Sequence, residues 1–116
     1  MSEFLIYHNP RCSKSRATLA LLREHGVEPE VVLYLEQPLS VAALKRLLGK
    51  LEITAAEWVR HSEPEFKAAG LHTGSSAAQL LSAVSAHPKL MERPVVVRGE
   101  RAVLGRPPEN VLALLD

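Results

Sequence analysis

The sequence predicts a single α/β domain in which a mixed sheet is covered by helices, and three observations carry that reading. Two short apolar β-prone runs, Glu3–Tyr7 and Glu30–Leu35, flank a helical stretch, which is the order of a βαβ unit. A purely helical block follows. The last third then changes character: Val95-Val96-Val97, a Gly99-Glu100 turn and Ala102-Val103-Leu104 read as a hairpin, with a closing helix over Glu109–Leu115. The order βαβ, helices, ββα is that of an α/β sandwich over residues 1–116.

Taken in order, the first run is a buried strand. Ser13 to His25 is a helix whose apolar stripe is Leu19, Leu22 and the neighbouring alanines, with Gly26 as its stop. Strands joined by a crossover helix should lie parallel. Pro38 breaks the chain, and Ser40 can cap a helix through Leu44, Leu47, Leu48 and Leu51. Thr54-Ala55-Ala56-Glu57 has the capping-box pattern and opens a short helix expected to reach Arg60 near its end. Glu63–Leu71 reads as a short helix ended at Gly70, and Ser75-Ser76 opens another over Ala77–Ala86, stopped by His87-Pro88. Gly105-Arg106-Pro107-Pro108 is a rigid loop, and Pro108 suits the first turn of the closing helix.

Composition narrows the function. A 47% apolar fraction is enough for a core, and a formal net charge of +1 gives no support for bulk nucleic-acid or membrane binding. No apolar run is long enough to cross a membrane, and no signal-peptide pattern opens the chain, so a cytoplasmic protein is expected. One cysteine cannot form an internal disulfide. The five histidines, at 8, 25, 61, 72 and 87, have no ligand spacing, so no metal site is expected.

The chemistry concentrates in His8-Asn9-Pro10-Arg11-Cys12-Ser13-Lys14-Ser15-Arg16, where strand turns into helix. Exposed amides at a helix start favour an anion and lower the pKa of a thiol. A first helical turn normally favours acids, yet this one carries Lys14 and Arg16 with Arg11 upstream, and no acid lies between Glu3 and Glu24. A local rule broken in this way marks a functional site. The compensating group is an anion at the turn: the Cys12 thiolate, an oxyanion substrate, or both. His8 as a cation could stabilise that thiolate, Ser15 could donate to its sulfur or cap the helix, and Asn9 could orient the turn. Arg93 and Arg106 each precede a proline, which restrains the backbone from which each side chain reaches out.

Motifs across nearly the whole chain resemble the glutaredoxin-coupled arsenate reductase family. They are His8-Asn9-Pro10-x-Cys12 with Ser15-Arg16, Tyr34-Leu35-Glu36-x-Pro38, Arg60, Arg93-Pro94-Val95-Val96-Val97 and Gly105-Arg106-Pro107. The resemblance implies a thioredoxin-like fold with a helical insertion over residues 39–91 or so. It further implies that Cys12 is the nucleophile, that His8 lies beside it, that Arg60, Arg93 and Arg106 hold a tetrahedral oxyanion, and that Pro94 is the cis-proline facing the cysteine. Glutathione would be the reducing co-substrate, glutaredoxin the partner, arsenic resistance the role, and no cofactor would be bound. The chain departs from the family's best-known members at Ser13-Lys14, where they carry Gly-Thr.

Other thiol chemistries fit less well. A phosphatase C-x5-R loop would need Arg where Thr18 stands, and a C-x-x-C oxidoreductase would need Cys where Ser15 stands. A C-x-x-S glutathione-dependent transferase matches Cys12-Ser13-Lys14-Ser15. A regulator that binds RNA polymerase shares the fold, but such regulators usually carry a C-x-x-C redox switch, absent here.

Overall fold

The computed structural model describes residues 3–115. In chain order they form β1 (Phe4–Tyr7), α1 (Ser13–Glu24), β2 (Glu30–Val32), α2 (Val41–Leu51), α3 (Ala55–Trp58), α4 (Pro64–Ala68), α5 (Ala77–Ala86), β3 (Val95–Arg98) and β4 (Arg101–Leu104). Short 3₁₀ segments occupy Pro88–Leu90 and Pro108–Leu114. These elements make two compact units. One comprises the described residues up to Gln37 and from Arg93 onward; the other is Pro38–Glu92.

The first unit is built on a four-stranded mixed sheet of order β2-β1-β3-β4. The crossover through α1 makes β1 and β2 parallel, with Ile6 opposite Val31, and β1–β3 and β3–β4 are antiparallel. Strand alternation puts Phe4 and Ile6 on one face, where Val96 joins them. Leu19 and Leu22 of α1 pack there with Val111 and Leu114, closing the core. Arg98 lies over the Phe4 ring, 4.9 Å from its centroid, and donates to Leu114 O at 2.6 Å.

Three expectations change in this unit. The second strand stops at Val32 instead of Leu35. His8 N donates to Val32 O at 2.9 Å, and β1 then turns away at Asn9-Pro10, so Leu33 has no ladder partner. The chain bends instead, with Glu36 N and Gln37 N both donating to Leu33 O, and Tyr34 is buried within the bend. The closing segment is a 3₁₀ helix over Pro108–Leu114, not an α-helix. Val111 and Leu114 are its buried residues, and at three residues per turn that spacing puts both on the core face. Finally, the buried stripe of α1 is Ser15, Thr18, Leu19 and Leu22, while the alanines at 17 and 20 face outward.

The Pro38–Glu92 unit is all-helical, with α5 at its centre: Leu80, Leu81 and Val84 are buried, as are Leu44, Leu47 and Leu51 of α2 and Trp58 of α3. Its helix starts are closed locally. Ser40 accepts from Ala43 N, and Thr54/Glu57 and Ser76/Gln79 form reciprocal capping boxes. The helix α3 ends at Trp58, short of Arg60. Val59 pairs with Met91 in an antiparallel bridge and Arg60 N donates to Leu90 O at 2.8 Å, so the backbone there is extended.

Candidate active site

The turn between β1 and α1 is shaped by its own side chains. Asn9 Oδ1 accepts from Arg11 N, and Asn9 O accepts from Cys12 N, both at 3.0 Å. This tight Asn turn places Cys12 at the N-cap, with extended backbone (φ −95°, ψ 123°), and the first helical bond runs from Arg16 N to Cys12 O. The amides of Lys14 and Ser15 are then left over, as at any helix start. Cys12 makes no side-chain capping hydrogen bond to them, yet these two amides and the Arg93 guanidinium act on the Cys12 thiol from close by. Cys12 is 8% exposed. Burial pushes its thiol up. The Ser15 amide, the Arg93 charge, the Lys14 amide and the Arg93 hydrogen bond together outweigh burial and hold the thiol below its ordinary value.

Ser15 is fully buried and does not address the sulfur with its hydroxyl. Its Oγ lies 2.6 Å from His8 Nδ1 and accepts from Asn9 N at 3.0 Å. The surroundings of His8 act against its cationic form. Burial, then the Arg23 charge, then the Arg16 charge all favour the neutral imidazole. The His8 ring thus stands against the Ser15 hydroxyl, with its pKa below the ordinary imidazole value. Arg16 braces the turn, its Nη1 donating to Pro10 O at 2.9 Å.

The basic side chains divide by unit. Arg93 and Arg106 lie in the same unit as Cys12, and Arg106 Nη1 stands 3.5 Å from Arg93 O; both Arg–Pro bonds there are cis. Gly105 N donates to Pro94 O at 2.9 Å, tying the two loops together. Arg60 belongs to the Pro38–Glu92 unit, where Glu63 Oε1 approaches its Nη1 to 2.6 Å and Glu92 Oε1 its Nε to 3.8 Å. Among the described residues, no cluster of His, Cys, Asp and Glu is arranged to hold a metal ion. The arrangement around Cys12 sets a thiol of lowered pKa beside backbone amides and a guanidinium, groups that favour a negative charge.

Residues 7–114 match the model of the ArsC family. The chain belongs to the ArsC family. Among its relatives, the uncharacterised protein YfgD of Escherichia coli K12 is 54% identical over 112 residues, covering 95% of this chain and 94% of that protein. The arsenate reductase of Haemophilus influenzae is 44% identical over 113 residues, covering 96% and 97%. Among solved structures, the arsenate reductase of Vibrio cholerae superposes with a TM-score of 0.92 at 46% identity, covering 97% of each chain. These likenesses establish the thioredoxin-like fold of the ArsC family for this chain.

Three residues at the site escape a motif reading. Thr18 is fully buried on α1, and Gly105 packs against it. Asn110 donates through Nδ2 to Leu104 O at 3.2 Å and to Arg106 O at 3.1 Å, strapping the Arg106 loop. Thr18 had a signal, since Ser15, Thr18, Leu19 and Leu22 fall at i, i+3, i+4 and i+7. Gly105 stands in the Gly105-Arg106-Pro107 motif, but its packing against Thr18 is not readable there, and Asn110 had no signal because its partners are generic backbone oxygens.

Proposed function

We propose that this chain reduces arsenate to arsenite through a Cys12 thiolate, with glutathione as reductant and glutaredoxin restoring the enzyme. The observation that carries this reading is the Cys12 sulfur set on the Lys14 and Ser15 amides with Arg93 beside it. Membership of the ArsC family, and relatives named arsenate reductase, support the choice of oxyanion. Arg93 and Arg106 bind the tetrahedral anion and offset its charge as the thiolate approaches. A guanidinium presents a rigid donor fork that matches two oxygens. Pro94 and Asn9 keep the arginine loop and the cysteine turn in shape, and Arg16 and Ser15 hold that turn.

The cycle needs a thiol from outside. The thiolate forms an S–As bond and an arsenate oxygen leaves as water after protonation. Glutathione then attacks the Cys12 sulfur. An S–S bond forms, the electron pair of the S–As bond stays on arsenic, and arsenite departs. Glutaredoxin takes the glutathione from Cys12 by thiol exchange. No second cysteine is present, and a serine hydroxyl does not undergo that exchange. In this reading the chain is one domain carrying a helical insertion, bears no cofactor, and works in a reducing cytoplasm.

A single-turnover reaction of reduced protein with arsenate, followed by mass spectrometry, tests the scheme. With glutathione, arsenite and a Cys12–glutathione disulfide should appear; without any added thiol, no arsenite should. Cys12→Ser should fall to the no-enzyme background. Stoichiometric arsenite without thiol, or turnover by Cys12→Ser, would refute it.

A further inference from the structure

We propose that Thr18 and Gly105 are positioning residues, their direct contact setting how α1, which begins at Cys12, stands against the two loops that carry Arg93 and Arg106. Thr18 is fully buried, yet it is a threonine, and its hydroxyl donates to Lys14 O at 2.8 Å with Gly105 O at 3.3 Å. The contact is closest where a side chain is missing. A Cβ on Gly105 would lie 2.6 Å from Thr18 Oγ1, 3.0 Å from Thr18 Cγ2 and 2.9 Å from Pro94 Cγ. Gly105 is not in the left-handed region, so the glycine is there for space and not for its dihedral freedom. The same residue's N–H is bonded to Pro94 O.

Three parts of the site thus meet at one van der Waals layer: the first turns of α1, the residue after Arg93 and the residue before Arg106. Close-packed interiors transmit small volume changes as displacements. Any atom wedged into this layer moves the arginine loops away from the helix start. Neither Thr18 nor Gly105 is assigned a contact with the reacting atoms.

The inference rests on the Cys12 site proposed above, but its first readout needs no arsenate. Arg93 helps hold the Cys12 thiol below its ordinary value, so the midpoint of Cys12 alkylation against pH reports on Arg93 placement. Gly105→Ala should raise that midpoint by about half to one pH unit, an opposite charge at close range being worth about 1–3. It should also raise the KM for arsenate several-fold more than it lowers kcat. The Thr18→Ala/Gly105→Ala double variant should recover part of the shift, since both Thr18 atoms that meet the new Cβ are gone. Should Gly105→Ala fail to fold, Thr18→Ala against Thr18→Ser carries the test. Ser keeps Oγ1 and should stay near wild type, whereas Ala should raise the midpoint. Val111→Ala, a core variant, should lower Tm and leave the midpoint alone. A wild-type midpoint in folded Gly105→Ala or Thr18→Ala would overturn the proposal, as would an equal shift in Val111→Ala. If wild type shows no arsenate turnover while the midpoints move as stated, the functional reading fails and the positioning role stands.

Discussion

The helix starts of the Pro38–Glu92 unit and the helix start at Cys12 solve one problem in opposite ways. Each leaves backbone N–H groups without intrahelical partners. In the helical unit, side chains one turn away close the account: Ser40 for α2, Thr54 with Glu57 for α3, Ser76 with Gln79 for α5. At α1 the N-cap is Cys12, which makes no side-chain capping bond, and the Lys14 and Ser15 amides together with Arg93, from far along the chain, lower the Cys12 pKa. A start that is satisfied locally is structural. One left open beside a lone thiol, with a distant guanidinium brought to that thiol, is a candidate site, and it forms only when the sheet brings Arg93 to it. Changes in the helical unit should therefore alter stability without touching the thiol, and changes around Cys12 should do the reverse.

The sharpest break of that division uses Leu81. It is 1% exposed at the centre of the helical unit. Leu81→Ala should cost about 2–5 kcal/mol from lost burial and the cavity left behind. Chemical denaturation reads the cost, and alkylation well below Tm should find Cys12 unchanged. A moved thiol would show that the two regions are not separable in this way.

The next effect lies on the other side. Arg93→Ala or Arg106→Ala should weaken oxyanion use by about 1.5–3 kcal/mol, seen as kcat/KM for arsenate, because a charge-assisted hydrogen bond is lost. Arg93→Ala should also raise the Cys12 alkylation midpoint, since it removes both a charge and a hydrogen bond from the sulfur. Lys at either position should rescue only in part, lacking the fork. Wild-type kinetics in folded variants would remove these arginines from the site.

The same division explains what the sequence reveals. Caps are local, so Ser40, Thr54 and the start of α5 are readable from a few neighbouring residues, and so is the odd basic turn at Cys12. The βαβ and hairpin orders follow from short apolar runs and their connections. Where the reading went astray, a distant partner decided the outcome. The second strand ended at Val32 because β1 turned away, not because its own residues changed. The closing segment is 3₁₀ and not α, with Val111 and Leu114 on its buried side. His8 stands four residues from the thiol in sequence, but burial and then the Arg23 and Arg16 charges lower its pKa, and its Nδ1 meets Ser15, contacts the sequence did not show. Thr18 falls on the buried stripe of α1, but its contact with Gly105 lies 87 residues away and leaves no local mark.

A smaller effect refines the helical half of the comparison. Ser76→Ala removes the oxygen that accepts from Gln79 N at 3.1 Å. Denaturation should show about 1 kcal/mol of lost stability, the usual worth of an N-cap. The Cys12 thiol and arsenate kinetics should be those of wild type.

The finest test asks how His8 acts, and its sign can be worked out. Two buried groups here favour their deprotonated forms: His8 as neutral imidazole and Cys12 as thiolate. For each, the folded pKa is depressed, so the unfolded chain binds protons more readily. The stability each contributes is present above its unfolded pKa and is lost as pH falls through the folded value. For His8 that window opens below about 6.5. His8→Asn keeps an oxygen or nitrogen where Nδ1 stands but cannot become charged. If His8 works by holding Ser15, His8→Asn should keep the Cys12 alkylation midpoint of wild type, whereas His8→Ala should raise it slightly by loosening the Ser15 amide. The stability of His8→Asn should also fall less steeply than that of wild type between about pH 6.5 and 5. If instead a positive His8 stabilises the thiolate, Asn and Ala should raise the midpoint alike, and wild type should lose thiolate character as His8 gives up its proton. Alkylation of the three proteins across that range decides between a hydrogen bond and a charge.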